Sequence, residues 1–214
     1  MVFGAAGLLA GAAGRGLLAR SRRGARVRAG PCELACGALC ALAAARWTAG
    51  GLPGWWLPVP LTLTALAVPL AAADLMHRRL PDALTLPAYG LIGGSLGVAA
   101  QVTSDGHLLV AAALGCLVFG AAHLVVHVLA PSSLGAGDVK LAGSLGGVLG
   151  ALGWPALLVA ALLASLLTLL LSLGARLASA AAWRSGVPHG PALLLATWLV
   201  AVFPSAGATV GLPG

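Results

Sequence analysis

The chain is a succession of long apolar runs separated by very short polar gaps. Apolar residues make up 60% of its 214 residues, and charged residues make up only 8%. A membrane-spanning helix needs about 20 mainly apolar residues, so a chain of this length holds about eight such segments and no sizeable soluble domain. The sequence therefore predicts an all-α fold, a polytopic transmembrane helix bundle.

Charges, prolines and glycines divide this apolar sequence into eight predicted spans. They cover residues 2–18, 32–49, 55–73, 86–103, 107–130, 139–153, 155–174 and 190–210. A tight turn signal at Gly153-Trp154-Pro155 separates the sixth span from the seventh, and one long kinked helix there would leave seven spans. Positive charges follow the first apolar run instead of preceding it, which favours an uncleaved span over a signal peptide. We expect a first unit of span and Arg-rich loop at 1–30, and the main membrane domain at 31–214.

Basic residues lie in alternate gaps between the predicted spans. Eleven occur in or beside the gaps after spans one, three, five and seven. The gaps on the opposite side of the membrane have only Arg46, which lies near the end of span two. Because Lys and Arg are retained on the cytoplasmic side, those gaps are predicted to be cytoplasmic and both termini to lie outside. The net charge of +7 is therefore explained by membrane topology, and it does not indicate a nucleic-acid partner. The eleven are Arg15, Arg20, Arg22, Arg23, Arg26, Arg28, Arg78, Arg79, Lys140, Arg176 and Arg184.

Cysteine and histidine spacing gives little sign of a metal site. The sequence has no Cys-x-x-Cys pair, the usual element of structural zinc sites. Three cysteines share one face of the second span, at Cys32, Cys36 and Cys40, and we predict packing roles for them. His123 and His127 lie at i and i+4 without an accompanying acid, so we predict polar interhelical contacts and no metal or other cofactor.

Small residues in the sixth span have the spacing that permits close helix approach, and tight bundle packing is their predicted role. They are Gly143, Ser144, Gly146, Gly147 and Gly150.

Only five acidic residues occur, and an ionisable group within a span costs about 2.5 to 3.5 kcal/mol on insertion scales. Asp105 lies in a Ser-Asp-Gly turn signal, which accounts for it structurally. Glu33 begins the second span, where charge pairing with nearby basic residues or the helix N-terminus explains it. Asp82 follows Pro81 and is placed to cap the next helix, a role that we weigh above chemistry.

The remaining acids, Asp74 and Asp138, are predicted to lie at the same membrane face. Asp74 lies at the cytoplasmic end of span three, and Asp138 lies at the cytoplasmic start of span six. Two carboxylates that approach closely do not both ionise easily, so one becomes an acid and the other a base. Aspartyl proteolysis requires this division. Helix capping or snorkelling to the interface is the alternative role for each residue.

Glycines precede the second of these carboxylates, in the segment Gly135-Ala136-Gly137-Asp138-Val139-Lys140-Leu141. They permit an irregular backbone and the close approach of an extended peptide. Lys140 either holds a neighbouring carboxylate ionised or anchors the cytoplasmic end of the span.

Three segments together give the sequence its resemblance to the prepilin leader peptidases, membrane aspartyl proteases of the Gly-x-Gly-Asp type. Residues 74–87, with Asp74 and the later Pro-Asp pair, resemble the first catalytic segment of that family. Residues 135–141 are similar to its second catalytic segment. Residues 187–191 resemble a Pro-Phe-Gly-Pro element in which His189 replaces Phe, a change that we interpret as a tolerated interfacial substitution.

This resemblance, which covers about residues 31–210, implies a multi-pass enzyme of the bacterial plasma membrane. It implies cleavage of the basic leader of prepilin-like substrates at the cytoplasmic face, typically after Gly, in contact with membrane lipid. Many members carry a zinc-bearing methyltransferase domain between spans one and two, where this chain has a short Arg-rich stretch. We therefore expect a peptidase without N-methylation, whose oligomeric state stays open. The implied catalytic pair is Asp74 and Asp138, and the implied site-shaping or substrate-binding residues are Pro81, Asp82, Gly135, Gly137 and Lys140.

Other function classes share some of these features. A presenilin-like or signal-peptide-peptidase-like enzyme uses the same Gly-x-Gly-Asp logic but cuts within the membrane. The Leu80-Pro81-Asp82 segment favours the leader peptidase instead. A small transporter or assembly subunit with the two carboxylates as a proton relay, or an inactive homologue, does not predict the spacing that follows Asp74.

Overall fold

The computed structural model describes residues 2–20, 26–131, 134–177 and 187–204. Within these ranges the chain forms eight α-helices and no strand, and it has the architecture of a polytopic helical bundle, as predicted. Five of the helices, α1, α3, α4, α5 and α7, are long and apolar enough to cross a membrane. The eight are α1 (Val2–Arg20), α2 (Pro31–Thr48), α3 (Pro58–His77), α4 (Asp82–Thr103), α5 (Gly106–Leu129), α6 (Ala136–Leu152), α7 (Trp154–Leu177) and α8 (Gly190–Val202).

The structure gives the division between the sixth and seventh helices, at Gly153, and the end of the eighth helix, before Pro204. Gly153 has a φ of 105°, a left-handed conformation that favours glycine, and it separates α6 from α7. The alternative of one long kinked helix in this region is therefore wrong. α8 ends at Val202, two residues before Pro204, so residues 203 and 204 of the predicted span are not helical, and residues 205–210 lie outside the described residues.

The sixth helix forms the centre of the bundle, and every residue from Leu141 to Leu152 is buried. By contrast, α5 and α7 expose many Leu and Val side chains, as expected of helices that face lipid. Glycines bring α5 and α6 together so closely that their backbones touch. A methyl group added to Gly150 would lie 2.7 Å from the Cα atom of Gly115. The predicted role of the small residues of α6 in close helix packing is confirmed.

We expect Gly115→Ala to lower the free energy of unfolding by about 1 to 3 kcal/mol, because the added methyl group meets backbone atoms of α6 that side-chain rotation cannot move. The measurement is thermal or denaturant unfolding in detergent. Gly97→Ala on α4 is the matched control, since nothing lies within 4 Å of its added methyl group. Equal stability of the two variants would contradict this account of the α5–α6 contact.

Two buried tryptophans connect α8 to α3 and the residues just before it. Trp56 Nε1 donates to the carbonyl of Ala201 at 3.0 Å, and Trp198 Nε1 donates to Thr64 Oγ1 at 2.7 Å. Because an unpaired indole N–H is costly in a dry interior, these bonds favour one register of α8 against α3. That register matters because each helix carries part of the site described below.

Glu33, Asp105 and three of the cysteines lie where their predicted structural roles place them. Arg15 donates to Glu33 at 2.7 Å, and the N–H of Gly30 donates to the same carboxylate at 2.6 Å. The Asp105 carboxylate accepts from the N–H of His107 at the start of α5. The cysteines Cys32, Cys36 and Cys40 are all buried on α2. These predictions are confirmed.

Candidate active site

Three helix ends meet at one end of the bundle, and each contributes to a single small site. Asp74 lies in the last turn of α3, which Arg78 ends with a left-handed φ of 52°. Asp138 lies in the first turn of α6, three residues after Gly135, which occupies the N-cap position of that helix. The third contribution is the start of α8 at Gly190. The fold thus brings together two carboxylates that are 64 positions apart in the sequence.

Gly190 is the point at which the two carboxylates converge. A methyl group placed on it would lie 2.6 Å from Asp74 Oδ2 and 3.3 Å from Asp138 Oδ1. Since both distances start from the same point, the two oxygens lie within about 6 Å of each other, a separation at which each carboxylate affects the ionisation of the other. A side chain at position 190 would occupy the space between them.

The Asp74 carboxylate is held in a nearly closed environment. The residue is only 6% exposed, and its carboxylate lies beside the backbone of Gly190, whose N–H favours the ionised form. The Arg78 guanidinium lies within electrostatic range from the exposed side. A carboxylate with one backbone donor and a screened cation can carry or release a proton at modest energetic cost.

The two oxygens of Asp138 have different environments. Oδ2 accepts from the N–H of Gly135 at 3.1 Å, and the Asp138 N–H donates to the Gly135 carbonyl at 3.0 Å. These reciprocal bonds fix the start of α6. Oδ1 is buried and has no hydrogen-bond partner among the described residues. Oδ2 therefore stabilises the start of α6, while Oδ1 is free of protein hydrogen bonds among the described residues and can interact with a reacting group.

Leu80 closes one side of the space between the carboxylates. A methyl group on Gly137 would lie 3.0 Å from its Cβ, and one on Gly190 would lie 3.3 Å from its Cδ1. Pro81 follows as the residue before α4. Neither Leu80 nor Gly190 was predicted as a site residue from the sequence. Their only signal was membership of the segments 74–87 and 187–191.

Lys140 and Asp82 pair with each other across α6 and α4 at 2.8 Å. Both side chains are exposed, so the pair adds little stability, about 0 to 1 kcal/mol. α4 begins at Asp82 itself, with Pro81 in the capping position, so the carboxylate does not sit where the predicted cap would be. Because both of its side chains are exposed, this ion pair lies at the rim of the site and not in the space between Asp74 and Asp138.

Two histidines of α5 each have a hydrogen-bond partner at Nδ1. His123 Nδ1 lies 2.8 Å from the Phe119 carbonyl and His127 Nδ1 lies 2.7 Å from the Leu134 carbonyl, just before Gly135. A carbonyl only accepts, so both nitrogens donate. His127 thereby holds the segment that leads into Asp138.

His189, whose replacement of Phe we interpret as a tolerated interfacial substitution, lies directly before α8. It is half-buried beside Gly190, its Nδ1 lies 2.9 Å from Thr168 Oγ1 on α7, and its ring lies 6.2 Å from the ring of His123. Burial lowers the pKa of the His189 imidazole below its usual range, and the neighbouring His123 lowers it further. The ring is therefore neutral near pH 7.

A bundle of membrane helices with two carboxylates converging at one end defines a polytopic membrane protein with a candidate acid–base centre. The sequence matches the Type IV leader peptidase family over residues 61–173, which include Asp74 and Asp138, and the chain belongs to this family. The resemblance seen in the sequence is thus confirmed.

Two curated relatives give the same assignment. The Prepilin leader peptidase/N-methyltransferase of Aeromonas hydrophila is 34% identical over 150 residues, which are 69% of this chain and 50% of that protein. The protein of the same name from Aeromonas salmonicida (strain A449) is 33% identical over 154 residues, with the same shares. The chain spans about half the length of these curated relatives. No solved structure matches it significantly.

Proposed function

We propose that this chain is an aspartyl endopeptidase that cleaves the leader peptide of prepilin-like proteins at the cytoplasmic membrane face. The observation that carries the proposal is the convergence of Asp74 and Asp138 on Gly190, with one oxygen of Asp138 buried and without a partner among the described residues. Membership of the leader peptidase family supports the peptidase class. The names of the curated relatives support a prepilin substrate.

The reaction needs one ionised and one protonated carboxyl group. The ionised carboxylate takes a proton from a water molecule as its oxygen attacks the scissile carbonyl carbon, and the protonated carboxyl donates its proton to the carbonyl oxygen. The tetrahedral intermediate collapses when the carbon–nitrogen bond breaks and a proton passes to the leaving amine. Like-charge repulsion at this separation disfavours two ionised groups, so the pair holds one proton.

An extended peptide is the form of substrate that fits this site. Gly135 and Gly137 present backbone without side chains next to Asp138, and Gly137 already touches Leu80. A small residue such as Gly at the cleavage point keeps the scissile carbonyl close to both carboxylates. The rim residues Pro81, Asp82 and Lys140 then contact flanking parts of the substrate.

The distribution of charge supports a cytoplasmic site. α3, α5 and α7 end where α4, α6 and α8 begin, at the end of the bundle that holds the two carboxylates. All the described Lys and Arg residues except Arg46 belong to this end. The positive-inside rule assigns such an end to the cytoplasm, where the basic leader of a prepilin-like protein lies before cleavage.

We also propose that the chain does not methylate the new N-terminus. Only residues 21–30 connect α1 to α2, and the connection has no Cys-x-x-Cys pair. Ten residues are too few for a fold that binds a methyl donor.

Purified protein in lipid vesicles should cleave a prepilin-like peptide that has a basic leader, a Gly and an apolar helix. Mass spectrometry identifies the cut and, with S-adenosylmethionine present, reports any methyl group on the product. We expect one cut after the Gly and no added methyl group. An uncut peptide would contradict the peptidase proposal, a cut within the apolar helix would indicate an intramembrane protease instead, and a methylated product would contradict the second proposal.

A further inference from the structure

His189 connects the start of α8 to α7 through a hydrogen bond between two side chains. Its Nδ1 lies 2.9 Å from Oγ1 of Thr168, a residue of α7. The Thr168 hydroxyl donates its single hydrogen to the Ala164 carbonyl at 2.8 Å, so towards the imidazole it can only accept. His189 Nδ1 is therefore the donor, whether the ring is neutral or charged.

This side chain occupies the N-cap position of α8 but does not cap its own helix. It makes no capping bond to the backbone of α8, and only the His189 carbonyl takes part in that helix, accepting from the Leu193 N–H at 3.1 Å. The first turn of α8 also contains a proline, which has no N–H to offer. The bond to Thr168 therefore ties the beginning of α8 to a neighbouring helix.

Gly190, the next residue, is the part of the backbone that lies against the two carboxylates. The methyl group that it lacks would lie 2.6 Å from Asp74 Oδ2, 3.3 Å from Asp138 Oδ1 and 3.3 Å from Leu80 Cδ1. Packing this close leaves little room for movement. A shift of Gly190 towards the site presses on Asp74, and a shift away opens the space between the carboxylates.

We propose that His189 is a positioning residue: by donating to Thr168 it fixes the start of α8, and it thereby sets the arrangement of Asp74 and Asp138 around Gly190. This rests on the peptidase function proposed above and adds α7 to the helices that hold the site. The Phe of a Pro-Phe-Gly-Pro element has a ring but no donor, so the role of His189 goes beyond that of a tolerated substitution.

Thr168→Val tests the bond from its acceptor side, because Val has almost the same shape but no hydroxyl. We expect kcat for leader cleavage to fall about fivefold to tenfold, the factor that corresponds to one lost hydrogen bond. KM should change little, because the groups that move are the reacting groups and not the rim. Thr168→Ser keeps the hydroxyl and should keep nearly wild-type kcat.

Thr103→Val is the matched control. The Thr103 hydroxyl donates to the Ala99 carbonyl of its own helix, at the end of α4 opposite the site, so its removal should leave the cleavage rate unchanged. Equal losses in Thr168→Val and Thr168→Ser, or a change in KM alone, would overturn the proposal.

Combining His189→Phe with Thr168→Val tests whether the two side chains act together. Each single variant breaks the same bond, so the double variant should be no slower than the slower single variant. Losses that multiply would show two independent effects and would overturn the proposal.

A measurement without substrate reports on the site itself. The chain has only four aspartates, so carbon-13 in their side-chain carboxyl groups gives four signals for nuclear magnetic resonance in lipid nanodiscs, each assigned by an Asp→Asn variant. At one fixed pH, Thr168→Val and His189→Phe should each move the Asp74 signal, whereas Thr103→Val should not. The Asp105 signal, from the opposite end of the bundle, should stay unchanged in Thr168→Val and His189→Phe.

A role in stability alone would lower the unfolding temperature of Thr168→Val without moving the signals of Asp74 or Asp138, and that result would overturn the proposal. The two proposals fail separately. If the wild-type protein cuts no prepilin-like peptide, the peptidase function is contradicted, while the carboxyl signals still decide whether His189 positions the site.

Discussion

Asp74→Asn and Asp138→Asn should each lower the rate of leader cleavage by about 10³-fold or more, because each variant removes one of the two proton-transfer groups of the reaction. Asn has almost the same shape as Asp, but it neither takes a proton from water nor donates one from a carboxyl group. Since both groups act in the same step, the double variant should be no worse than the worse single variant. The measurement is initial cleavage rate in lipid vesicles, scored by mass spectrometry.

Asp105→Asn provides the matched control for this pair. Asp105 lies at the start of α5, at the end of the bundle opposite the site, and Asn is an equally good residue for the hydrogen bond that it makes with the N–H of His107. Its cleavage rate should equal that of wild type. Substantial cleavage by either site variant, with its unfolding temperature unchanged, would exclude the two-carboxylate mechanism.

Gly190→Ala should lower the cleavage rate by about 10²-fold, the effect typical of a displacement of about 1 Å in a reacting group. Its methyl group would lie 2.6 Å from Asp74 Oδ2, closer than a carbon and an oxygen approach without a bond. The carboxylate must therefore move away from Asp138, or the start of α8 must shift. Either movement widens the gap across which one proton is shared.

The loss in Gly190→Ala should appear in kcat and not in KM, because the added methyl group disturbs the reacting groups instead of the rim that contacts the substrate. Gly97→Ala, whose added methyl group meets nothing within 4 Å, is the control for the general effect of alanine in a helix of this bundle. Wild-type activity in Gly190→Ala would show that the two carboxylates do not need the space between them.

Much of the fold could be predicted because the membrane imposes a simple rule on the chain. Because backbone groups in lipid must be hydrogen-bonded within a helix, a sufficiently long apolar run predicts a membrane helix. Even the doubtful division at Gly153 followed from the conformational freedom of one residue. The structural roles of Glu33 and Asp105 were local as well, since each bonds to a helix N-terminus near it in sequence.

The site was harder to predict, because its pieces are far apart in the chain. Asp74 and Asp138 could be selected by elimination among five acids, but their approach depends on the packing of α3, α6 and α8. Gly190 and Leu80 have no distinguishing chemistry of their own, so only their place between other groups gives them a role. Lys140 shows the same limit, since its partner is 58 positions away in sequence.

The sequence by itself determined that this protein is a membrane helix bundle, which end of each span carries positive charge, and which two carboxylates remain as candidates once the other three acids have local roles. These properties depend on composition and on the order of residues along one span, where each contribution is local. Only the tertiary structure decided that the carboxylates meet at Gly190 and that one oxygen of Asp138 has no partner among the described residues. Such convergence depends on close packing between helices, in which a single methyl group changes which atoms meet.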